Sequence, residues 1–193
     1  MLKKFGNYKI ILASGSPRRQ QFFKDLDVDF EVQIKEVVEI YPSDLKAEAI
    51  TDYLAKLKAN PFIGKLSEND LLVTSDTIVW HNNVALGKPK DYEDAVRILK
   101  LLSNSTHEVI TSVCFTTINQ SKIIHEVTKV TFNGLTDDAI AYYLDNYKPF
   151  DKAGAYGIQE WIGLIGITKI EGSYTNVVGL PTHRVYEYLK NML

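Results

Sequence analysis

The sequence predicts an α/β fold: a mixed, strongly twisted sheet with long antiparallel hairpins, flanked by helices. Short apolar runs alternate with amphipathic stretches through the first half of the chain. Two long extended segments then follow one another across the polar turn Asn119-Gln120-Ser121, which demands a ribbon.

Lys9-Ile10-Ile11-Leu12-Ala13 is a buried strand, Ser14-Gly15-Ser16 a tight turn, and Gln20 to Leu26 helical. Pro17 suits the first helical position and Ser16 the cap before it. Phe30-Glu31-Val32-Gln33-Ile34 alternates as a half-buried strand does. The next helix is predicted from Ser43 to Asn60, with Leu45, Ala49, Ile50, Tyr53, Leu54 and Leu57 as its apolar stripe, ended by Asn60-Pro61. Leu71 to Trp80 is a strand, His81-Asn82-Asn83-Val84 a hairpin turn, and Asp91 to Leu102 a second amphipathic helix. Glu108 to Ile118 and Lys122 to Phe132 form the ribbon, and Thr136 caps a helix through Asn146, helped by Asp137 and Asp138. After the glycine-rich stretch DKAGAYGIQ, a strand is predicted near Ile162 to Ile170, and Pro181 opens the final helix.

The 193 residues suffice for one domain, or a two-lobed one with a central cleft. With 45% hydrophobic and 24% charged residues, the composition excludes disorder, coiled coil and collagen. A net charge of -2 argues against binding nucleic acid through bulk electrostatics, so any anion site is focal. One cysteine, Cys114, excludes an internal disulfide framework and fits a reducing cytosol. Its apolar neighbours Val113 and Phe115 read as core. The opening Met1-Leu2-Lys3-Lys4 is followed by an apolar run too short for a signal peptide or membrane span, so a soluble, cytoplasmic protein is expected.

Three constellations carry chemistry. Ser14, Gly15, Ser16, Arg18 and Arg19 place a small-residue turn and two cations at a helix N-terminus, where the backbone N–H groups already favour an anion. Such a turn cradles phosphate, and arginine grips it bidentately. The alternative is a surface turn with two solvated arginines. No Walker P-loop occurs, and the glycine turn Leu86-Gly87-Lys88-Pro89 supplies a further lysine.

Second, Asp76 interrupts the apolar strand Leu71 to Val79, a costly position unless the carboxylate is paired or holds a metal. It is the best acid in the chain for holding a divalent ion or activating water, with a structural salt bridge as the alternative. Glu36 and Glu39 each offer a second carboxylate. Lys56 and Lys58 both fall near the edges of the long helix's apolar stripe, and angular position does not choose between them. Third, in DKAGAYGIQ (residues 151–159) the glycines permit close approach, and the Gln159 amide is able to read a base edge. His81, His107, His125 and His183 lack metal-ligand spacing, and no Gly-x-Ser-x-Gly elbow is present.

Taken together, LASGSPRR (residues 12–19), LAKLKA (54–59), SDTIV (75–79), LGKP (86–89), LSNSTHEVIT (102–111), DKAGAYGIQ (151–159) and GSYTNVVGLP (172–181) resemble the Maf family. This family comprises nucleotide pyrophosphatases first named for an association with septum formation. The resemblance runs through almost the whole chain and implies a single Maf/ITPase-like domain over residues 1–193. It implies hydrolysis of a nucleoside triphosphate to the monophosphate and pyrophosphate, with Mg²⁺ or Mn²⁺ as cofactor. By motif position Ser14, Arg18, Arg19, Glu39, Lys58, Asp76 and Lys88 line the site, with Asp76 as proton acceptor and Asp76 and Glu39 as metal ligands. Lys58 is thereby preferred over Lys56. Arg18, Thr77 and Gln159 fall where the family tunes base preference, and KAGAYGIQ is similar to the subgroup acting on dTTP and UTP.

Three positions depart from the family pattern: Ser75 replaces an alanine, Leu102-Ser103-Asn104 replaces an LSG-type turn, and Glu160 replaces the glycine after the glutamine. Glu160 bears on loop geometry beside the base pocket. A homodimer with a nucleoside triphosphate substrate and no nucleic-acid or membrane partner is the accompanying expectation. Two readings stand beside it: a nucleotide-sensing regulator of cell division without turnover, and a house-cleaning pyrophosphatase for modified nucleotides.

Overall fold

The structure, a computed structural model, describes residues 7–192. Residues 1–6, read above for a targeting segment, and residue 193 lie outside the described residues. In chain order the elements are β1 (Lys9–Leu12), α1 (Pro17–Asp25), β2 (Phe30–Val32), α2 (Glu48–Ala59), β3 (Asp70–His81), β4 (Val84–Leu86) and α3 (Tyr92–Leu102). They continue as β5 (Thr106–Thr116), β6 (Ser121–Phe132), α4 (Asp137–Tyr147), α5 (Trp161–Gly166), β7 (Ile167–Glu171), α6 (Tyr174–Val178) and α7 (Thr182–Lys190). The strands hydrogen-bond as one mixed sheet in the order β2-β1-β3-β5-β6-β7, with β4 on β3, as the predicted fold class requires. No helix among the described residues is long and apolar enough to cross a membrane.

The chain divides into two compact units. The first holds the described residues up to Asp76 together with 111–126 and 179–192. Its β1 runs parallel to both β2 and β3, pairing Ile10 with Phe30 and with Leu71. Because side chains alternate along a strand, Leu71 and Val73 join Phe23 of α1 and Val185 of α7 in one cluster. Leu72 joins Ala59, Phe62 and Leu66 in another. The two layers of helix therefore follow from strand parity.

The second unit holds Thr77–Ile110 and Val127–Val178. Its core packs Leu99 and Leu102 of α3 against Phe132, Ile140 and Tyr143. The hairpin between β3 and β4 turns at Asn82 and Asn83, at φ 48° and 62°, as the asparagine pair predicted. Asn104 takes φ 53°, the left-handed conformation a glycine would adopt there, and asparagine tolerates it. β6 and β7 are antiparallel, with an irregularity in register between Thr131 and Phe132.

Three boundaries differ from the sequence reading. The long helix starts at Glu48 rather than Ser43, because Ala47 sits at φ 47°, which no α-helical residue adopts. The second strand closes at Val32 rather than Ile34. The segment predicted as a strand from Ile162 is helical to Gly166 before β7 begins; a short apolar run does not distinguish the two forms by periodicity. Gly163 lies so close to Ile158 that a Cβ would stand 1.9 Å from its carbonyl oxygen, and that approach fits the turn of helix.

Within the second unit His107 is buried, shares a 2.8 Å hydrogen bond with the Tyr156 hydroxyl and stacks on Phe132. Burial lowers its pKa from 6.5 to about 3, so protons favour the unfolded chain. Stability fully present above pH 6.5 is then lost as pH falls toward 3. Between pH 6.5 and pH 5, urea unfolding of the wild type is expected to lose about 2 kcal/mol more than His107→Leu. Equal losses in the two proteins would refute the assignment.

Candidate active site

The loops that leave the carboxyl ends of the parallel strands β1 and β2 lie in the first unit, and β3 runs on past its last pairing with β1, Leu12 with Val73, to carry Asp76 there. Open α/β sheets bind ligands at that end. Beyond β1, Ala13 N–H still bonds Val73 O at 2.9 Å, and the chain then turns through Ser14-Gly15-Ser16. Ser14 is buried; its Oγ accepts from Ser16 N–H at 3.3 Å, while its carbonyl accepts from the Gln20 side chain at 3.0 Å. Ser16 caps α1 by accepting from Arg19 N–H, and Pro17 stands in the first turn as the sequence predicted. That turn contains no acidic residue, so the helix dipole and the cations of Arg18 and Arg19 share one sign.

Arg19 is held by backbone carbonyls. Its Nε donates to Gly179 O at 2.8 Å and its Nη1 to Ser75 O at 3.0 Å. Removal from water lowers the guanidinium pKa, with the Asp76 carboxylate opposing that shift. Arg18 is half-buried beside it. Gly179 was missed by the sequence reading because a carbonyl acceptor has no side-chain signature.

On β3, parity turns Leu72, Thr74 and Asp76 toward α2. The Thr74 hydroxyl donates to Ala55 O at 2.6 Å, clamping strand to helix. Lys58 lies one turn beyond Ala55 on the same face, and its Nζ meets Asp76 Oδ1 at 2.6 Å and Glu39 Oε1 at 3.2 Å. Lys56 is exposed, so the structure chooses where the apolar stripe did not. Glu39 comes from the irregular segment after β2 and, like Glu36, is exposed. Asp76 is 6% exposed, and burial raises its pKa above the ordinary aspartate value, against the lowering pull of Lys58 and Arg19. An acid limb set by this group lies correspondingly high.

Two hard carboxylate oxygens thus converge on one cation position, held here by the Lys58 ammonium. That donor set fits a Mg²⁺ or Mn²⁺ ion, which takes one or two carboxylates and completes its shell with substrate phosphates and water. Among the described residues no group of three or more His, Cys, Asp or Glu gathers to form a resident metal site.

The remaining predicted residues belong to the second unit. Thr77 follows Asp76 on β3, half-buried, with its side chain on the opposite face by parity. Lys88 is exposed in the turn after β4, where Gly87 O accepts from Gly154 N–H at 3.0 Å. Gln159 is exposed at the end of the glycine-rich stretch. The same unit holds a buried cluster that residue types alone did not mark: Tyr143 and Lys152 both bind Glu160. Ser75 keeps its hydroxyl buried with no partner among the described residues, at a position where alanine would leave nothing unsatisfied.

If these opposing influences set Asp76, its carboxyl carbon should titrate by NMR above the usual aspartate range. In Lys58→Met the midpoint should move higher still, because the ionised form loses its nearest cation. A midpoint that fell, or did not move, would contradict the arrangement.

The Maf-like protein family matches residues 9–192. A dTTP/UTP pyrophosphatase of Flavobacterium psychrophilum is 71% identical over 98% of this chain and 97% of its own length. One of Christiangramia forsetii is 58% identical, covering 97% of this chain and 95% of its own. One of Bacteroides fragilis is 47% identical over the full length of both. Among solved structures, the Staphylococcus aureus Ham1 protein matches with a TM-score of 0.50 at 14% identity, covering 93% of this chain and 99% of that one, a likeness of fold alone.

Proposed function

Because the chain belongs to the Maf family, we propose that it is a nucleoside triphosphate pyrophosphatase that hydrolyses dTTP and UTP to the monophosphate and pyrophosphate. The observation that carries the chemistry is the buried Asp76 carboxylate held by Lys58 beside a helix N-terminus that bears two arginines. Phosphate binds at the Ser14-Gly15-Ser16 turn, where N–H groups and the fixed Arg19 guanidinium offer donors and Arg18 adds charge. Lys88 contributes a further cation. Arg18, Thr77 and Gln159 set base preference, in keeping with the motif positions they occupy.

Asp76 takes a proton from a water molecule, whose oxygen attacks the α-phosphorus. The bond to the bridging oxygen breaks, and pyrophosphate leaves with its charge spread over fixed cations. The raised pKa of Asp76 makes its carboxylate a stronger base than a solvated aspartate, while Lys58 keeps it aimed. A Mg²⁺ or Mn²⁺ ion held by Asp76 and Glu39 would supply charge neutralisation on the triphosphate. The reading extends, by family resemblance, to a cytoplasmic homodimer; the net charge of -2 supports leaving nucleic acid out.

Pyrophosphate release from dTTP, UTP, CTP, 7-methyl-GTP, pseudo-UTP and ITP tests the proposal. Turnover should be highest with dTTP and UTP, and Asp76→Asn should lower kcat by about 10²–10⁴-fold while nucleotide binding persists. Wild-type turnover in Asp76→Asn would refute the mechanism. Nucleotide binding without turnover in the wild type would favour a sensor.

A further inference from the structure

The residue that follows Gln159 is a carboxylate locked in place from two sides. Tyr143, fully buried on α4, donates its hydroxyl hydrogen to Glu160 Oε2, and the same hydroxyl oxygen accepts from Gly157 N–H at 3.0 Å. Lys152, buried in the glycine-rich stretch, places Nζ 3.1 Å from Glu160 Oε1 and 2.8 Å from Asp151 Oδ1. Glu160 N–H in turn donates to Gly157 O at 3.0 Å.

These bonds close a ring around residues 157–160. Gly157 is bound through its N–H by Tyr143 and through its carbonyl by Glu160, whose side chain folds back over it. A Cβ at Gly157 would stand 2.8 Å from the Glu160 carboxyl carbon and 3.1 Å from Gln159 Nε2. Ile158 points into the core, so Gln159 is the side chain this ring presents outward. Gln159 thus stands between two residues, Gly157 and Glu160, whose places are set by Tyr143 and Lys152.

We propose that Glu160, fixed by Tyr143 and Lys152, is a positioning residue that aims Gln159 and so sets base selectivity. This rests on the reading of Gln159 as the group that meets the base. Glu160 touches neither substrate nor reacting atoms; it acts through the turn. The Lys152 ammonium compensates a carboxylate that would otherwise be costly in this buried setting, and Tyr143 supplies the hydrogen bond that orients it.

The test compares kcat/KM for dTTP, UTP, CTP and ITP in Glu160→Ala, Glu160→Gln, Tyr143→Phe and Gln159→Ala. Glu160→Ala should shrink the preference for dTTP over CTP by about tenfold, mainly through KM, with kcat nearly unchanged. Glu160→Gln keeps an acceptor for Tyr143 and should restore part of the preference. Tyr143→Phe should reproduce the loss, and the double variant with Glu160→Ala should be no worse than the stronger single one, since both break one ring. If Glu160→Ala does not fold, Tyr143→Phe and Glu160→Gln decide by the same ratios.

A purely structural role would lower the urea midpoint and leave the base ratios intact, which overturns the proposal. If Gln159→Ala collapses the ratios while the ring variants leave them intact, the proposal alone fails. If Gln159→Ala leaves them unchanged, the reading of Gln159 fails and the proposal falls with it.

Discussion

A carboxylate on a buried strand needs a cation, and much of the first unit is arranged around that requirement. Asp76 sits midway along β3, just past its pairing with β1, with little access to water, and Lys58 meets it from α2. The pairing fixes the rotation of α2, and the Thr74 hydroxyl bound to Ala55 O reinforces it one turn earlier. It also draws in Glu39 from a segment that has no regular structure of its own. Burial and pairing pull the Asp76 pKa in opposite directions, and burial wins. The result is a carboxylate more basic than a solvated aspartate yet held in one orientation, the combination a proton acceptor requires.

The arginines solve a related problem differently. Arg19 spends two of its N–H donors on the carbonyls of Gly179 and Ser75, which orient its head. Its guanidinium belongs to the first turn of α1, where the helix dipole has the same sign. Such an arrangement is uncomfortable for an isolated helix and favourable for one that binds phosphate. In the proposed reading the two kinds of cation have separate tasks: Lys58 orients the carboxylate, and Arg18 and Arg19 serve the anion.

In the second unit the glycine-rich stretch is shaped by contacts rather than by freedom. Gly154 lies at φ 71°, and a Cβ there would stand 2.6 Å from Val79 Cγ2. Gly157 has to be small because the Glu160 side chain occupies the space beside it. A glutamate after Gln159 thus has a defined place, with Tyr143 and Lys152 as its partners. The asparagine at 104 is equally easy to accommodate, since it adopts the left-handed backbone that glycine would.

The strand, turn and helix from Lys9 to Asp25, the Asn82-Asn83 hairpin and the Thr136 cap were legible in the sequence, because each depends on local backbone chemistry that a few neighbouring residues specify. The sequence also determined the family and marked Asp76 as an acid out of place among apolar neighbours. It misread the start of α2, where the left-handed turn at Ala47 has no marker in an alanine, and the helix at Trp161, where an apolar run has two solutions. The choice of Lys58 over Lys56 came from the motif, and only the tertiary structure gave it a physical cause. Which face of α2 meets β3 is set by packing between segments far apart in the chain. The carbonyls that hold Arg19 and the ring that holds Glu160 are likewise contacts across sequence distance, made by atoms that every residue carries or by side chains with no local pattern. Only folding decides where such atoms meet.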